Sequence, residues 1–449
     1  MAIILNKRIS DKDLLVLQFL FRMRGATAAQ LVKGLNYPNT ISSEKNMYKP
    51  LKKLGEIGLV DYQFIKLHTR NFYFLSEEGY NFMIRFMNLQ PQHRGKGFYK
   101  DYGVFDFKLQ RPPSQQHKHF LMQVDTFLEF EKIRDVKMPG IYFDYRDNRY
   151  CSKKFELISD SKEKKVWEEL KPDGEVLIVR EVVKKESGKA EVRKTKNIYS
   201  IEVDTGTERK VRLLNKFQQY KLYFDYLKKK KQPLPRGIIF VSNTKEREFG
   251  LEARWFTISN AFHEAVGEYS FQVNLIHETM DQINLGLHRE ILGSKIAAQA
   301  FKNIIPVLEN SPDFKGLPLK YFSEELPYNG GMATTLVEIQ EGKGVLFCYV
   351  RVDGFETLGW NELKHFLEFL SNEKTLNTHY SRIQKVVPVC LFLNKPSNMP
   401  DSNFFKGLPL LSLQDTILYN VSNNKWFTKD LDVIDKIPLI PISERLIGH

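Results

Sequence analysis

The chain has 449 residues, of which 42% are hydrophobic, so it is long enough for two or three domains with buried cores. It carries 67 basic and 54 acidic residues, a net charge of +13 at pH 7, which favours a polyanionic partner over an acidic protein or a neutral ligand. Cys151, Cys348 and Cys390 are far apart and indicate neither a disulfide framework nor a zinc site.

The N-terminal apolar run is too short for a signal peptide, and no stretch approaches the 18 or so consecutive apolar residues of a membrane span. We therefore expect a soluble, cytoplasmic protein without a membrane segment.

Residues 1–90 are predicted to form a winged-helix DNA-binding domain. Ser10 precedes a helix with apolar residues at helical spacing, Thr27 precedes a short second helix, and a third helix is expected over about 42–57. Pro50 should kink or split that third helix. A basic hairpin over 62–75 and a last helix over 76–87 complete the unit.

The third helix and the hairpin carry the predicted DNA contacts. In helix-turn-helix modules the third helix lies in the major groove, and a hairpin in this position can touch the backbone or the minor groove. Lys and Arg would mostly bind phosphate, whereas an Asn could read a base edge. The predicted contacts are Lys45, Asn46, Lys49, Lys52, Lys53, Lys66 and Arg70. The alternative is a protein-binding winged helix whose lysines are simply its solvated face.

Residues 91–116 are rich in Pro, Gly, Gln and Arg and read as a basic linker, although interspersed aromatics allow part of it to pack. The next domain is predicted over 117–285.

Three acidic residues in this domain are candidate metal ligands. Asp173 stands at a turn that enters one strand, and Glu202 and Asp204 lie two apart on the next, so both point to the same face. Like charges so placed repel unless a cation or proton lies between them, and carboxylates are the ligands that Mg²⁺ or Mn²⁺ selects. Such a metal polarises a phosphodiester. The alternative is an ordinary hairpin whose polar face happens to be acidic.

The helix expected over 211–227 carries two further candidates. Lys216 could stabilise transition-state charge near the acids. Tyr220 lies one turn later on the same face and could stack on a base, donate a hydrogen bond or attack a phosphate; the alternative is an aromatic at the edge of the core.

The spacing of these residues resembles that of the replication-relaxation family, which includes the C class of conjugative mobilisation relaxases. The similar motifs are His119-x5-Asp125, Pro172-Asp173-Gly174, Glu202-Val203-Asp204-x-Gly206-Thr207 and Lys216-x3-Tyr220. The resemblance covers roughly residues 10–245. It implies a PD-(D/E)xK-like nuclease core in which a helix supplies the lysine, with His119 near the active centre as a possible acid or base. The chain departs from the usual motif at Asp204, where that motif has lysine.

Residues 286–449 are predicted to form a C-terminal α/β domain and a possible degenerate copy of the nuclease core. Val352 and Asp353 follow Arg351 much as Val203 and Asp204 follow Glu202, and Asn329 stands where Asp173 would. Such a copy would hold no metal, and Arg351 would contact phosphate instead. The alternative is a strand-helix-strand period shared by chance.

The sequence thus predicts a mixed α/β (α+β) DNA-processing protein of a plasmid or other mobile element. It would bind a specific duplex site, an origin of transfer or replication, and nick one strand, with Mg²⁺ or Mn²⁺ held by Asp173, Glu202 and Asp204. Other relaxosome or replication proteins are possible partners. Two alternatives remain open: a non-catalytic DNA-binding regulator or replication accessory factor on a nuclease-like scaffold, and a restriction-type nuclease that cuts both strands. Whether water or tyrosine attacks is also open.

Overall fold

The computed structural model describes residues 2–4, 7–65, 70–113, 115–136, 138–157, 166–186, 189–206, 208–243, 250–284, 286–287, 290–291, 302–304, 306, 319–321, 333–340, 343–372, 383–393, 396, 402–408 and 411–434. The chain divides into two compact units, Met1–Arg254 with Glu278–Asn284, and Trp255–His277 with Leu285–His449. Both contain helices and sheets, so the predicted mixed α/β class is confirmed at that level. Within the described ranges, no helix combines the length and apolar character needed to cross a bilayer.

The described part of the first 86 residues contains four helices, a two-stranded sheet and a three-stranded sheet. In chain order the elements are β1 (Ala2–Ile4), β2 (Lys7–Ile9), α1 (Asp11–Met23), β3 (Ala26–Thr27), α2 (Ala28–Gly34), α3 (Ile41–Glu56), β4 (Val60–Ile65), β5 (Arg70–Leu75) and α4 (Glu77–Phe86). We call residues 11–86 the N-terminal module. Ser10 and Thr27 cap α1 and α2 through capping boxes, as their sequence positions predict.

Helix α3 runs through Pro50, so the predicted split does not occur. Pro50 lies on the buried side of the helix with Met47, Leu51 and Leu54. Burial of this apolar face offsets the one backbone hydrogen bond that proline cannot make, because tertiary packing contributes most of a helix's stability.

The segment predicted as a linker is held by specific contacts over much of its length. The Tyr80 hydroxyl accepts from Phe105 N at 2.8 Å, and Gly103 N donates to the Tyr150 hydroxyl at 3.1 Å. Tyr99 N donates to Asp144 at 2.6 Å. These bonds fix the described part of the segment against the N-terminal module and the following domain, which a flexible tether would not require.

The next elements supply the central sheet of the first unit, a separate two-stranded sheet and several helices, the last of which begins in the first unit and ends in the second. They are α5 (Phe107–Gln110), α6 (His117–Arg134), β6 (Ile141–Asp147), α7 (Asn148–Cys151), β7 (Lys153–Glu156), β8 (Trp167–Leu170), β9 (Gly174–Glu186), β10 (Lys189–Asp204), α8 (Lys210–Lys229), β11 (Gly237–Ser242) and α9 (Gly250–Val266). The sheet contains the run β6-β9-β10-β11. β9 pairs antiparallel with β6 and β10, and β11 pairs parallel with β10. Strand β11 is buried along its whole length, as its continuous apolar run predicts.

The second unit has its own sheet. Its remaining elements are β12 (Asn274–Thr279, which extends into the first unit), β13 (Leu319–Tyr321), β14 (Ala333–Gln340), β15 (Lys343–Arg351), β16 (Phe355–Glu356), α10 (Leu358–Leu370), β17 (Ile383–Phe392), β18 (Ile417–Asn420), β19 (Lys425–Thr428) and β20 (Val433–Ile434). The order is β13-β14-β15-β17-β18-β19-β20.

The two units share one piece of connectivity. In the second unit the antiparallel pair β14–β15 is followed by α10 and by β17, which pairs parallel with β15. The first unit has the same order in β9–β10, α8 and β11. Asn329, which the repeat hypothesis aligns with Asp173, lies outside the described residues.

Arg351 does not present a free guanidinium to phosphate, contrary to the expectation from the repeat. It forms ion pairs with Glu290 and, at 2.9 Å, with Glu356. Because both carboxylates are buried, the guanidinium neutralises them within the second unit.

Candidate active site

Asp173 is fixed where the pairing of β9 with β10 ends. The last pair of that ladder is Gly174 with Ile201. Beyond it, Asp173 N donates to Ile201 O at 2.9 Å, and Val203 N donates to Asp173 Oδ2 at 2.8 Å. The Asp173 carboxylate thus accepts a hydrogen bond from Val203 N, which lies beyond the last β9–β10 pair. This bond holds the carboxylate against β10.

Gly174 permits this approach. A Cβ on Gly174 would lie 2.9 Å from Arg146 O and 3.0 Å from the Phe127 ring. A larger residue would therefore push β9 away from β6 and displace Asp173.

Helix α6 contributes two donors to Asp173. His119 Nε2 lies 3.1 Å from Oδ2, and Gln123 Nε2 donates to Oδ1 at 2.6 Å. The two residues are four apart and therefore share one face of the helix.

Helix α8 likewise contributes two donors to Glu202. Lys216 Nζ lies 2.9 Å from Oε2, and the Tyr220 hydroxyl donates to Oε1 at 2.6 Å. Lys216 is also 3.3 Å from Glu208 Oε1. Asp173 is thus bound by two donors four residues apart on α6, and Glu202 is bound by two donors four residues apart on α8.

The two carboxyl groups titrate in opposite directions. Burial raises the pKa of both, but for Asp173 the hydrogen bond and charge of His119, with the charge of Lys216, outweigh burial and lower the pKa below its ordinary value. For Glu202, burial and the charge of Asp173 outweigh Lys216 and Tyr220, and the pKa is raised. Two neighbouring carboxyls with pKa values pushed apart are suited to different acid–base roles.

The cations of the site are stabilised in their charged forms. Burial lowers the pKa of His119, but the hydrogen bond and charge of Asp173 raise it above its ordinary value. Burial also disfavours the Lys216 ammonium, but the charges of Glu202, Asp173 and Glu208 raise its pKa. Their side chains are 28% and 24% exposed, against 4% for that of Glu202, so the cations lie nearer to solvent than this carboxylate.

Asp204 has a different environment, although it shares a strand face with Glu202. Arg254 Nε lies 2.7 Å from Oδ2, and a terminal guanidinium nitrogen donates to Oδ1 at 2.9 Å. Gly206 N also donates to Oδ1, at 2.8 Å, and the Ser242 hydroxyl lies 3.4 Å from Oδ2. Asp204 is thus the partner of a bidentate arginine.

The structure therefore does not assemble the three acids as the sequence predicts. Asp173 and Glu202 lie in one network with His119 and Lys216, whereas Asp204 is bound to Arg254. No group of three or more His, Cys, Asp or Glu side chains in the described part of the chain is arranged to hold a metal ion.

Two of the three acids fit a divalent cation and one does not. The bonds described above give each Glu202 oxygen, and Asp173 Oδ1, one donor, so these oxygens have remaining acceptor capacity. Mg²⁺ is commonly bound by one or two protein carboxylates and completed by waters and substrate phosphate. The donors around Asp204 already occupy both of its oxygens.

Tyr220 is completely buried. Burial and the charge of Glu202 raise the pKa of its hydroxyl well above the ordinary value. A buried, protonated phenol that donates to Glu202 is placed to position that carboxylate.

Asp125, the other half of the predicted His119-x5-Asp125 motif, lies away from the site. Its Oδ1 accepts from Gln30 Nε2 at 3.0 Å. Six residues on a helix correspond to about one and two-thirds turns, so positions 119 and 125 face different directions. Asp125 connects α6 to α2.

Most of the predicted DNA contacts lie on one helix. Lys45, Asn46, Lys49 and Lys52 are exposed on α3, and Arg70 is exposed at the start of β5. Lys53 pairs with Asp13 at 2.6 Å. Several of these side chains and Lys12 line an open groove of about 690 Å³ between α1 and α3. Lys66 lies outside the described residues.

Sequence reasoning missed Gln123 and Arg254. Gln123 could have been found, because it lies one helical turn after His119. Arg254 is 50 residues from Asp204 and follows a stretch with no motif, so only the fold reveals the pair.

Residues 17–236 match the family model described as Replication-relaxation. The match shows that this stretch is similar to that family. It spans a little less than half of the 449 residues and includes every residue of the Asp173–Glu202 network described here. This similarity indicates a role in the replication or relaxation of a plasmid or another mobile element. No curated protein and no solved structure matches the chain.

Proposed function

We propose that this replication-relaxation protein nicks one strand of duplex DNA at a specific site of a plasmid or other mobile element, with the Asp173–Glu202 pair as the reactive centre. The observation that carries the proposal is the arrangement of this pair. The two carboxyl groups have pKa values shifted in opposite directions, and they form ion pairs with a histidine and a lysine that lie nearer to solvent than Glu202. All four residues lie within the stretch that matches the family model.

The cations are assigned to the phosphate. Lys216 stabilises negative charge that develops on a phosphodiester in the transition state. His119, whose pKa is raised by the hydrogen bond and charge of Asp173, is assigned the role of giving a proton to the leaving oxygen. Glu202, whose raised pKa makes its carboxylate more basic than an ordinary one, is assigned as the base that accepts a proton from the nucleophile.

Asp173 and Glu202 would hold Mg²⁺ or Mn²⁺, which supplies Lewis acidity and lowers the pKa of a bound water. Asp204 is left out of this ligand set because Arg254 occupies both of its oxygens. Its proposed role is to secure the end of β10, where it also fixes Gly206.

Water is the proposed nucleophile. Tyr220 is buried and donates a hydrogen bond to Glu202, which supports a positioning role over attack on a phosphate. The nick would accordingly leave no protein linked to the DNA.

The N-terminal module is the proposed reader of duplex DNA. Its order of three helices, two strands and a last helix suits a winged helix, with α3 in the major groove. The exposed lysines of α3 support phosphate binding.

A second candidate is a DNA-binding replication factor that does not cut. The neutralised Asp204 favours it, since one acid of the predicted set is not available. It differs from the first in predicting site-specific binding that no metal converts into nicking.

The test is conversion of supercoiled plasmid carrying the protein's own locus to open circles with Mg²⁺ or Mn²⁺. We expect wild type to nick and Glu202→Gln to lose nicking while binding the same DNA. Asp225→Asn is the matched control, because Asp225 is an α8 carboxylate paired with Lys221 outside the site. Specific binding without nicking by the wild type would favour the second candidate.

A further inference from the structure

The N-terminal module exposes several aromatic side chains on one side of its small sheet. Tyr62 and Phe64 alternate on β4, the edge strand of the order β3-β5-β4, and are 66% and 56% exposed. Their cross-strand partners are Tyr73 and Asn71, which lie on the same side of the sheet.

Helix α3 extends this face. Tyr48 is 40% exposed, and its ring centroid lies 6.4 Å from that of Tyr73. The Tyr62 ring is 6.1 Å from Tyr73 on the other side. We call Tyr48, Tyr62, Phe64 and Tyr73 the aromatic face. It combines the buried ring of Tyr73 with three rings that remain exposed to solvent.

The charge around the aromatic face is mainly positive. Lys45 and Lys52 flank Tyr48 at i−3 and i+4 on α3, and both are exposed. Burial and the charge of Glu44 raise the pKa of the Tyr48 hydroxyl, and Arg70 opposes them, so the guanidinium is within electrostatic reach of this ring. Glu44 and Asp61 are the acidic neighbours in the same stretch of sequence.

Open rings with flanking cations suit one kind of partner. Unpaired bases stack on aromatic side chains irrespective of sequence, while lysines and arginines follow the phosphates. A duplex hides its base faces inside the stack. An apolar protein partner would use the rings but would not require the cations.

We infer that the aromatic face binds unpaired bases of single-stranded DNA. The inference rests on the proposed function, because the strand end that a nick in duplex DNA releases can unpair, and its exposed bases would then be available to the aromatic face. The module would then contact duplex through α3, and single strand through β4, β5 and the part of α3 around Tyr48.

The test measures equilibrium binding of the full chain by fluorescence anisotropy, with EDTA present so that cutting plays no part. The probes are a labelled oligothymidylate of about 16 nucleotides and a duplex of equal length. The double variant Tyr62→Ala/Phe64→Ala should bind the single strand at least about tenfold more weakly, with duplex affinity changed less than about twofold. Tyr62→Phe should retain binding.

Phe86→Ala is the matched control, because Phe86 is an exposed aromatic at the end of α4 in the same module. It should leave both affinities unchanged. Equal weakening of single-strand and duplex binding by the double variant, or no change in either, would overturn the inference. So would loss of self-association in sedimentation, which would assign the face to a second copy of the chain.

A second readout separates this inference from the nickase proposal. Oligonucleotides with 5-iododeoxyuridine should photo-cross-link to β4, and cross-links confined to other segments would contradict the inference. Because binding is measured without cutting, the face can be confirmed even if no plasmid is nicked, and can fail even if nicking is observed.

Discussion

At the scale of single residues, Asp204 and Arg254 form a buried bidentate ion pair at the end of β10. Their side chains are 0% and 11% exposed, and Arg254 also donates to Glu208 O at 2.6 Å. Breaking such a pair from one side leaves an uncompensated buried charge, whereas removing both charges costs less.

We therefore expect Asp204→Asn and Arg254→Met each to lower the free energy of unfolding by about 3–5 kcal/mol. The double variant Asp204→Asn/Arg254→Met should lose less than the sum, as measured by urea unfolding in a double-mutant cycle. Additive losses would show that the pair does not act as a unit.

His119 gives a prediction with a defined sign. Its folded pKa is raised, so its contribution to stability is fully present below the unfolded value of about 6.5 and is lost as pH rises through the higher folded value. Asp173, with a lowered pKa, stays ionised throughout this window. The stability gap between wild type and His119→Gln should therefore shrink from acidic to mildly alkaline pH.

The control for His119 is the same substitution in an Asp173→Asn background. There the pH dependence of the gap should largely vanish, because the carboxylate that raises the pKa is gone. A gap that is constant with pH in both backgrounds would contradict the ion pair. Thermal melts across the pH range measure it.

Tyr220 separates the two possible nucleophiles. Tyr220→Phe removes one hydrogen bond to a carboxylate, which should cost about 1.5–3 kcal/mol of stability and reduce nicking without abolishing it. Plasmid nicking and a denaturing gel for protein–DNA adducts measure both effects. Complete loss of nicking, with an adduct in the wild type, would assign the attack to this tyrosine.

At the scale of elements, the junction between β8 and β9 positions Asp173. Gly174 is needed there because of close approach to Arg146 O and Phe127, without any unusual backbone angle. Overpacking at such a contact usually costs about 1–3 kcal/mol and shifts the backbone that carries the neighbouring residue.

Gly174→Ala should accordingly lower stability by that amount and slow nicking more than it weakens DNA binding. Gly55→Ala is the control with the opposite sign. Gly55 lies in α3 with its nearest contact at an ordinary 3.5 Å, so alanine there should stabilise by up to about 1 kcal/mol. Chemical unfolding and nicking rates compare the two, and unchanged behaviour of Gly174→Ala would show that the junction tolerates a side chain.

Local sequence rules predicted the helices and strands better than the contacts that their side chains make with other elements. Caps at Ser10 and Thr27, the position of α8 and the parallel strand β11 follow from periodicity and side-chain chemistry. Strand alternation placed Glu202 and Asp204 on one face, but the residues that meet them come from α8 and α9, which alternation does not specify. Pro50 shows the same limit, because propensity predicts a break and packing of the apolar face overrides it.

At the scale of the whole molecule, two units share the order hairpin, helix and parallel strand, yet their charged clusters differ. In the first unit two carboxylates form ion pairs with a histidine and a lysine, and in the second unit an arginine forms ion pairs with two glutamates. Within the described residues, this difference fits the proposed placement of the reactive centre in the first unit. One such centre acting alone would cut a single strand, as the nicking proposal requires.

The most direct test of this account is to map the cleavage at nucleotide resolution, by primer extension on both strands of a plasmid that carries the protein's own locus. The account predicts one break, at one position on one strand, with wild-type protein and Mg²⁺ or Mn²⁺, and none with Asp173→Asn although that variant still binds the site. Breaks on both strands would contradict a single reactive centre, and bound but intact DNA with the wild type would show that the Asp173–Glu202 pair does not cut.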